Sequence, residues 1–94
     1  LYTVSLYDSA IASLVNQASN YLTAAFEPNL QGSLHPNIAP YGETFETKDG
    51  HHIVLAVGND EQFNRLMSAI GLHFNPDLYG TNATRVKNRS TLFD

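Results

Sequence analysis

YGETFETKDGHHIVLAV, residues 41–57, decides how the rest of the chain is read. Tyr41, Phe45 and Thr47 alternate with Gly42, Thr44 and Glu46, which is strand spacing. Lys48-Asp49-Gly50 is a turn signal, because Gly50 is able to take positive φ. His52-Ile-Val-Leu-Ala-Val57 is rich in β-branched and apolar residues and is expected to be a strand buried on both faces. The two runs predict a β-hairpin.

Working toward the N-terminus, residues 32–42 read GSLHPNIAPYG. Two prolines rule out regular helix and disfavour a central strand, so this is a connecting loop over about 31–42. Its stiffness has two readings, a rigid turn leading into the sheet or a loop shaped for something that binds against it. Before it, Ser5-Leu-Tyr-Asp8 has the form of a capping box. Tyr7, Ile11, Leu14, Val15, Ala18, Leu22 and Ala25 follow at helical spacing. They predict one long helix, about Leu6 to Ala25, with a single buried stripe. Its other face, Ser9, Asn16, Gln17 and Asn20, is uncharged and reads as a surface against other protein. Pro28 closes the helical region.

Toward the C-terminus, Gly58 breaks the strand and Asn59-Asp-Glu-Gln62 resembles a second cap. Phe63, Leu66, Met67 and Ile70 form one helical stripe that Gly71 ends. Leu72 to Tyr79, with Pro76, reads as a loop. From Asn82 a further helix carries Arg85, Lys87 and Arg89, which two-residue spacing spreads around its surface as solvated charges. The fold class expected is α/β, an α+β arrangement of long helix, loop, β-hairpin and two helices. The chain starts at Leu1, Tyr2-Thr-Val4 resembles the inside of a strand, and Thr91-Leu-Phe-Asp94 resembles an interrupted helix. The chain therefore reads as a piece of a longer protein, with a trimmed small protein as the other reading.

Composition narrows the chemistry. Of 94 residues, 43% are hydrophobic, so a modest packed core is expected rather than disorder. A net charge of -4 argues against nucleic-acid binding, and no apolar run reaches the length of a membrane span. The absence of cysteine excludes disulfides and thiolate metal sites and fits a cytosolic protein. Four histidines remain as metal candidates. His51 and His52 are strand neighbours that point to opposite faces, and His73 reads as a loop residue, so no metal site is expected. No serine sits in a nucleophile elbow. Asp8, Asp60 and Glu61 read as helix-start residues rather than catalytic acids, and the two acids after Asn59 disfavour a phosphate there. The sequons at Asn82 and Asn88 carry no weight without a secretion signal.

Three motifs, the KDG turn, VGNDxQF and TNxxRVxNR, stand in this order and spacing after a helix and an HPNIAPY loop. Together they resemble an internal segment of the family III CoA-transferases, the CaiB/BaiF family, across essentially the whole chain. The resemblance implies a large Rossmann-like domain and a small domain, with two subunits interlocked as linked rings. It places residues 1–30 in a large-domain helix, 31–42 in a connecting loop and 43–94 in part of the small domain. It implies covalent catalysis by an aspartate that attacks an acyl-CoA thioester. That aspartate lies upstream of this segment and Asp8 does not match it, so no catalytic residue is expected here and the segment alone should be inactive.

The implied substrates are an acyl-CoA and a carboxylic acid, with coenzyme A as part of the substrate and no covalently bound cofactor. The compartment implied is cytoplasmic, or mitochondrial or peroxisomal in a eukaryote. Some family transferases carry a glycine-rich loop over the acyl group. Here His35-Pro-Asn-Ile38 stands at that place, as in the branch that uses dicarboxylates such as succinyl-CoA. An α-methylacyl-CoA racemase would carry an acid and paired glycines before Ala39-Pro40-Tyr41, and the acid is missing. His35 and Asn37 are therefore candidates to face the acyl or acceptor group, against the reading of a rigid interdomain linker. A racemase, or a non-catalytic ligand-binding or interaction module, is the alternative.

Overall fold

The computed structural model describes residues 1–93. The chain divides into two compact units, one ending at Leu30 and the other starting at Gln31.

The first unit contains α1 (Leu6–Ser13) and α2 (Val15–Ala24). The side chain of Ser5 accepts the Asp8 N–H at 3.2 Å, which is the serine half of the expected capping box; no return bond from the Asp8 carboxylate accompanies it among the described residues. The expected single helix is interrupted at Leu14 (φ -83°, ψ 1°). The Ser13 hydroxyl donates to the Ala10 carbonyl at 2.7 Å, the acceptor that a continuous helix would offer to the Leu14 N–H. Leu14 donates to Ile11 instead, at 3.0 Å, and one tight turn separates the helices. Neither helix contains a buried residue. The expected buried stripe is thus exposed, with Tyr7 at 75% and Leu22 at 81%. A stripe is covered only by another packed layer, and this unit has none. Tyr2 to Val4 are not in a strand.

The second unit is built on an antiparallel hairpin of β1 (Tyr41–Glu46) and β2 (His52–Ala56). Thr47 N–H donates to His51 at 2.8 Å and Gly50 N–H to Thr47 at 3.0 Å, and Gly50 sits at φ +81°. The turn is therefore the one that the sequence specifies. Tyr41 pairs with Ala56 and Thr44 with Val54, so Gly42 and Glu43 together oppose Leu55. That bulge shifts the strand alternation by one and turns Glu43 inward, where it is buried.

Gly42 is required there twice over. Its φ is +93°, and a Cβ would lie 1.9 Å from the Ser33 carbonyl oxygen. The Ser33 hydroxyl also donates to the Gly42 carbonyl at 2.7 Å. β2 is not buried on both faces as expected. Ile53 and Val54 are 52% and 59% exposed, because the sheet has only these two strands.

α3 (Asp60–Ile70) starts where Asn59 Oδ1 accepts the Gln62 N–H at 2.9 Å and ends at Gly71, φ +70°. Phe63 on its stripe is fully buried and meets Phe74 edge-on at 5.1 Å. The expected loop at 72–79 contains a short helix, α4 (Pro76–Tyr79). Pro76 stands in its first turn, where a missing N–H costs nothing, and Asn75 Oδ1 caps Asp77 N–H at 2.9 Å. α5 (Asn82–Lys87) opens on a reciprocal Thr81–Thr84 cap, and Arg89–Thr91 form a separate 3₁₀ turn. Asp94, at the end of the segment read as an interrupted helix, lies outside the described residues. The small core consists of Ala39, Pro40, Val57, Phe63 and the side chain of Arg85.

Two glycine substitutions separate conformational strain from collision. Gly50→Ala meets open space and should cost about 1–2 kcal/mol, from the left-handed backbone alone. Gly42→Ala adds the Ser33 collision and should cost more than about 3 kcal/mol. Denaturant unfolding of the two variants measures the difference.

Candidate functional site

The 35–40 loop is held by one face of the C-terminal segment. Asn82, Arg85 and Arg89 stand at i, i+3 and i+7, and all three reach it. Asn82 Oδ1 accepts the Ala39 N–H at 3.1 Å, and its Nδ2 donates to the Asn37 carbonyl at 2.8 Å. Arg85 Nε donates to the Ala39 carbonyl at 2.7 Å. Arg89 Nη1 donates to the His35 carbonyl at 2.8 Å, and Nη2 to the Ile38 carbonyl. A proline-rich loop offers few regular backbone partners, and here side chains supply them. The Ala39–Pro40 peptide is cis.

The expectation that Arg85 and Arg89 are solvated is overturned. Arg85 is fully buried. Besides Ala39, its guanidinium donates to the Tyr79 carbonyl at 3.0 Å and to Asp60 Oδ1 at 2.7 Å, and it lies 4.4 Å from the centre of the Phe63 ring. A planar fork with five donors satisfies these directions at once, and an ammonium cannot. Arg89 is mostly buried, and its Nε stands 2.9 Å from the buried Glu43 Oε1. That contact lies off the hydrogen-bond line, so it binds by charge rather than by a directed bond. Lys87 alone of the three basic residues is exposed as expected. The two-residue spacing concealed that Arg85 and Arg89 are one turn apart. Read as i, i+4, with Asn82 at i-3, the pattern identifies a shared face.

Of the two predicted site residues, His35 is half-buried and Asn37 exposed. His35 N–H donates to Tyr41 at 2.9 Å, its Nδ1 accepts the Asn37 N–H at 3.1 Å, and its ring meets Tyr41 edge-on at 5.6 Å. The loop thus brings the two residues together. An apolar cavity of about 310 Å³ lies between the hairpin and α3, lined by residues such as Phe45, Leu55, Phe63 and Met67; neither His35 nor Asn37 lines it. No group of three or more His, Asp or Glu among the described residues is arranged to hold a metal. No helix among them is long and apolar enough to cross a membrane. Asn82 and Asn88 spend their amides on internal hydrogen bonds, including Asn88 Nδ2 to the Leu78 carbonyl at 3.0 Å. His51 stands 3.2 Å from Asp49 in the hairpin turn, outside this site.

The model for CoA-transferase family III matches residues 2–94. The chain belongs to that family. It is 43% identical over 88 residues to a succinate–glutarate CoA-transferase of Agrobacterium fabrum, covering 92% of this chain and 22% of that protein. It is 33% identical over 90 residues to an acyl-CoA transferase of Fusarium pseudograminearum, covering 94% of this chain and 19% of the relative. The crystal structure of a CaiB/BaiF family protein from Brucella suis superposes with a TM-score of 0.60 at 40% identity, over 94% of this chain and 23% of that one. The chain therefore spans about a fifth of the length of the relatives it matches. The expected family and the α+β fold class both hold for this CoA-transferase segment.

Replacing Arg85 by Met should cost about 3–5 kcal/mol, because a buried carbonyl and a part-buried one lose their donor. Asp60→Asn keeps an oxygen acceptor for Arg85 and loses only the charge of a half-exposed carboxylate, so it should cost less than Arg85→Met. Unfolding midpoints of the two variants test this ranking.

A pH prediction concerns Asp49. The Thr47 hydroxyl, and then His51, hold its carboxyl below the ordinary aspartate range. A depressed folded value means that the turn's contribution is present above the unfolded value and is lost as pH falls through the folded one. NMR titration of Asp49 should give a low midpoint, and Thr47→Val should move it upward.

Proposed function

We propose that this chain is part of an acyl-CoA:carboxylate CoA-transferase that moves coenzyme A from a donor such as succinyl-CoA to a carboxylic acid. The observation that carries the reading is the 43% identity, over 88 residues, to a succinate–glutarate CoA-transferase. In this reading residues 1–30 belong to the large domain, 31–42 join the domains and 43–94 belong to the small one. The full protein is an interlocked dimer and works in the cytoplasm, or in a mitochondrion or peroxisome of a eukaryote.

The mechanism that goes with this reading is covalent. An aspartate outside this segment attacks the thioester carbonyl, expels CoA thiolate and forms an acyl-aspartyl anhydride. The thiolate attacks the aspartyl carbonyl, which releases the donor carboxylate and leaves an aspartyl-CoA thioester. The acceptor carboxylate then displaces the thiolate, giving a new anhydride, and the thiolate returns to the acceptor's acyl carbon. The contribution of this segment is geometric. Tyr41, Asn37 and the three clamp residues restrain the loop so that His35 and Asn37 face the acyl or acceptor group. A loop fixed beforehand loses little entropy when substrate binds.

The test uses the full-length protein with succinyl-CoA and a panel of carboxylic acids that includes glutarate. New CoA thioesters detected by mass spectrometry are the expected result. No transfer, together with α-proton exchange on a branched acyl-CoA, would replace this reading with a racemase. Unchanged turnover and KM in His35→Ala would remove His35 from the substrate site while leaving the transferase assignment in place.

A further inference from the structure

We infer that Arg89 is a positioning residue for His35, anchored by Glu43, and that His35 meets substrate as a neutral Nε2–H donor. The inference rests on the proposed substrate-facing role of His35.

Four contacts fix this histidine. Its N–H is bound to the Tyr41 carbonyl at 2.9 Å, and its carbonyl is held by Arg89 at 2.8 Å. Its ring edge meets Tyr41, and Nδ1 accepts the Asn37 N–H at 3.1 Å. A nitrogen that accepts a backbone N–H presents its lone pair, so in the neutral ring the proton sits on Nε2. Nε2 has no partner among the described residues. Such a donor suits the oxygen of a carboxylate or of an acyl carbonyl that gains negative charge.

The ring direction depends on the span from His35 to Ile38, and Arg89 holds both ends of that span through one guanidinium. Its third nitrogen is drawn to Glu43, which is 6% exposed and comes from the hairpin bulge. Arg89 therefore bridges loop and hairpin with one side chain, beside the Ser33–Gly42 and His35–Tyr41 contacts. Lysine reaches one of the two carbonyls and leaves the other without its donor. The span then loosens without losing the positive charge opposite Glu43.

The test is a double-mutant cycle in the full-length protein, reading KM for the acceptor carboxylate, kcat and the melting temperature of Arg89→Lys, His35→Ala and the double variant. Expected is a loss of roughly tenfold in kcat/KM for each single variant, with the double variant no worse than His35→Ala, since a 1 Å displacement near reacting atoms costs up to about 10²-fold. An Arg89→Lys loss that persists undiminished in the His35→Ala background overturns the positioning role and leaves His35 in the substrate site. Unchanged kinetics in His35→Ala overturn both. If Arg89→Lys does not fold, Glu43→Gln takes its place in the cycle. A loss of about threefold that disappears in the His35→Ala background supports the inference, and one that persists overturns it.

Discussion

The second unit is organised around a positive charge in its core. The Arg85 guanidinium is fully buried between a loop carbonyl, a carbonyl at the end of α4, the first residue of α3 and the face of Phe63. A buried cation without partners would cost several kcal/mol, so its stability here depends on those directions being filled together. The loop, α3, α4 and α5 are therefore fixed relative to one another by one side chain. In a unit of about sixty residues, with few large apolar side chains buried, such a polar hub substitutes for part of a hydrophobic core.

Around that hub the polar groups form a connected set. Asn82 reads the backbone of Asn37 and Ala39, Arg85 takes the Ala39 carbonyl, and Arg89 takes those of His35 and Ile38. Ser33 and Gly42 close the other side, where the hairpin bulge lets the two backbones approach. A segment with two prolines and no helix or strand of its own is thereby held by side-chain hydrogen bonds along its length. That rigidity serves both readings of the loop, a joint between domains and a platform for His35 and Asn37, and a well-held joint is also the condition for a well-placed platform.

Elements governed by local chemistry were legible. The hairpin turn at 48–50, the serine side of the cap at Ser5, the cap at Asn59 and the stop at Gly71 each depend on residues within four positions of one another, and each forms. The break at Leu14 was missed although its cause, the Ser13 hydroxyl, is local; a β-hydroxyl in a helix has an alternative acceptor that apolar periodicity does not register. The family was legible too, because TNxxRVxNR joins several residues with one structural task.

By itself, the sequence determined the hairpin, the α3 helix, the helical character of 6–24 and of 82–87, their order and the family, since these follow from short-range patterning and from motifs that survive as strings; the break at Leu14 and the short helix α4 did not follow from it. Only the tertiary structure decided which charges are buried and which apolar residues are not. Arg85 and Arg89 looked solvated because composition assigns charge to the surface, whereas the loop they hold lies about fifty residues away in the chain and needs donors that it cannot supply itself. Ile53, Val54 and the α1–α2 stripe looked buried because hydrophobicity is a property of the residue. Burial is a property of what packs against it, and within each unit no further layer covers these faces.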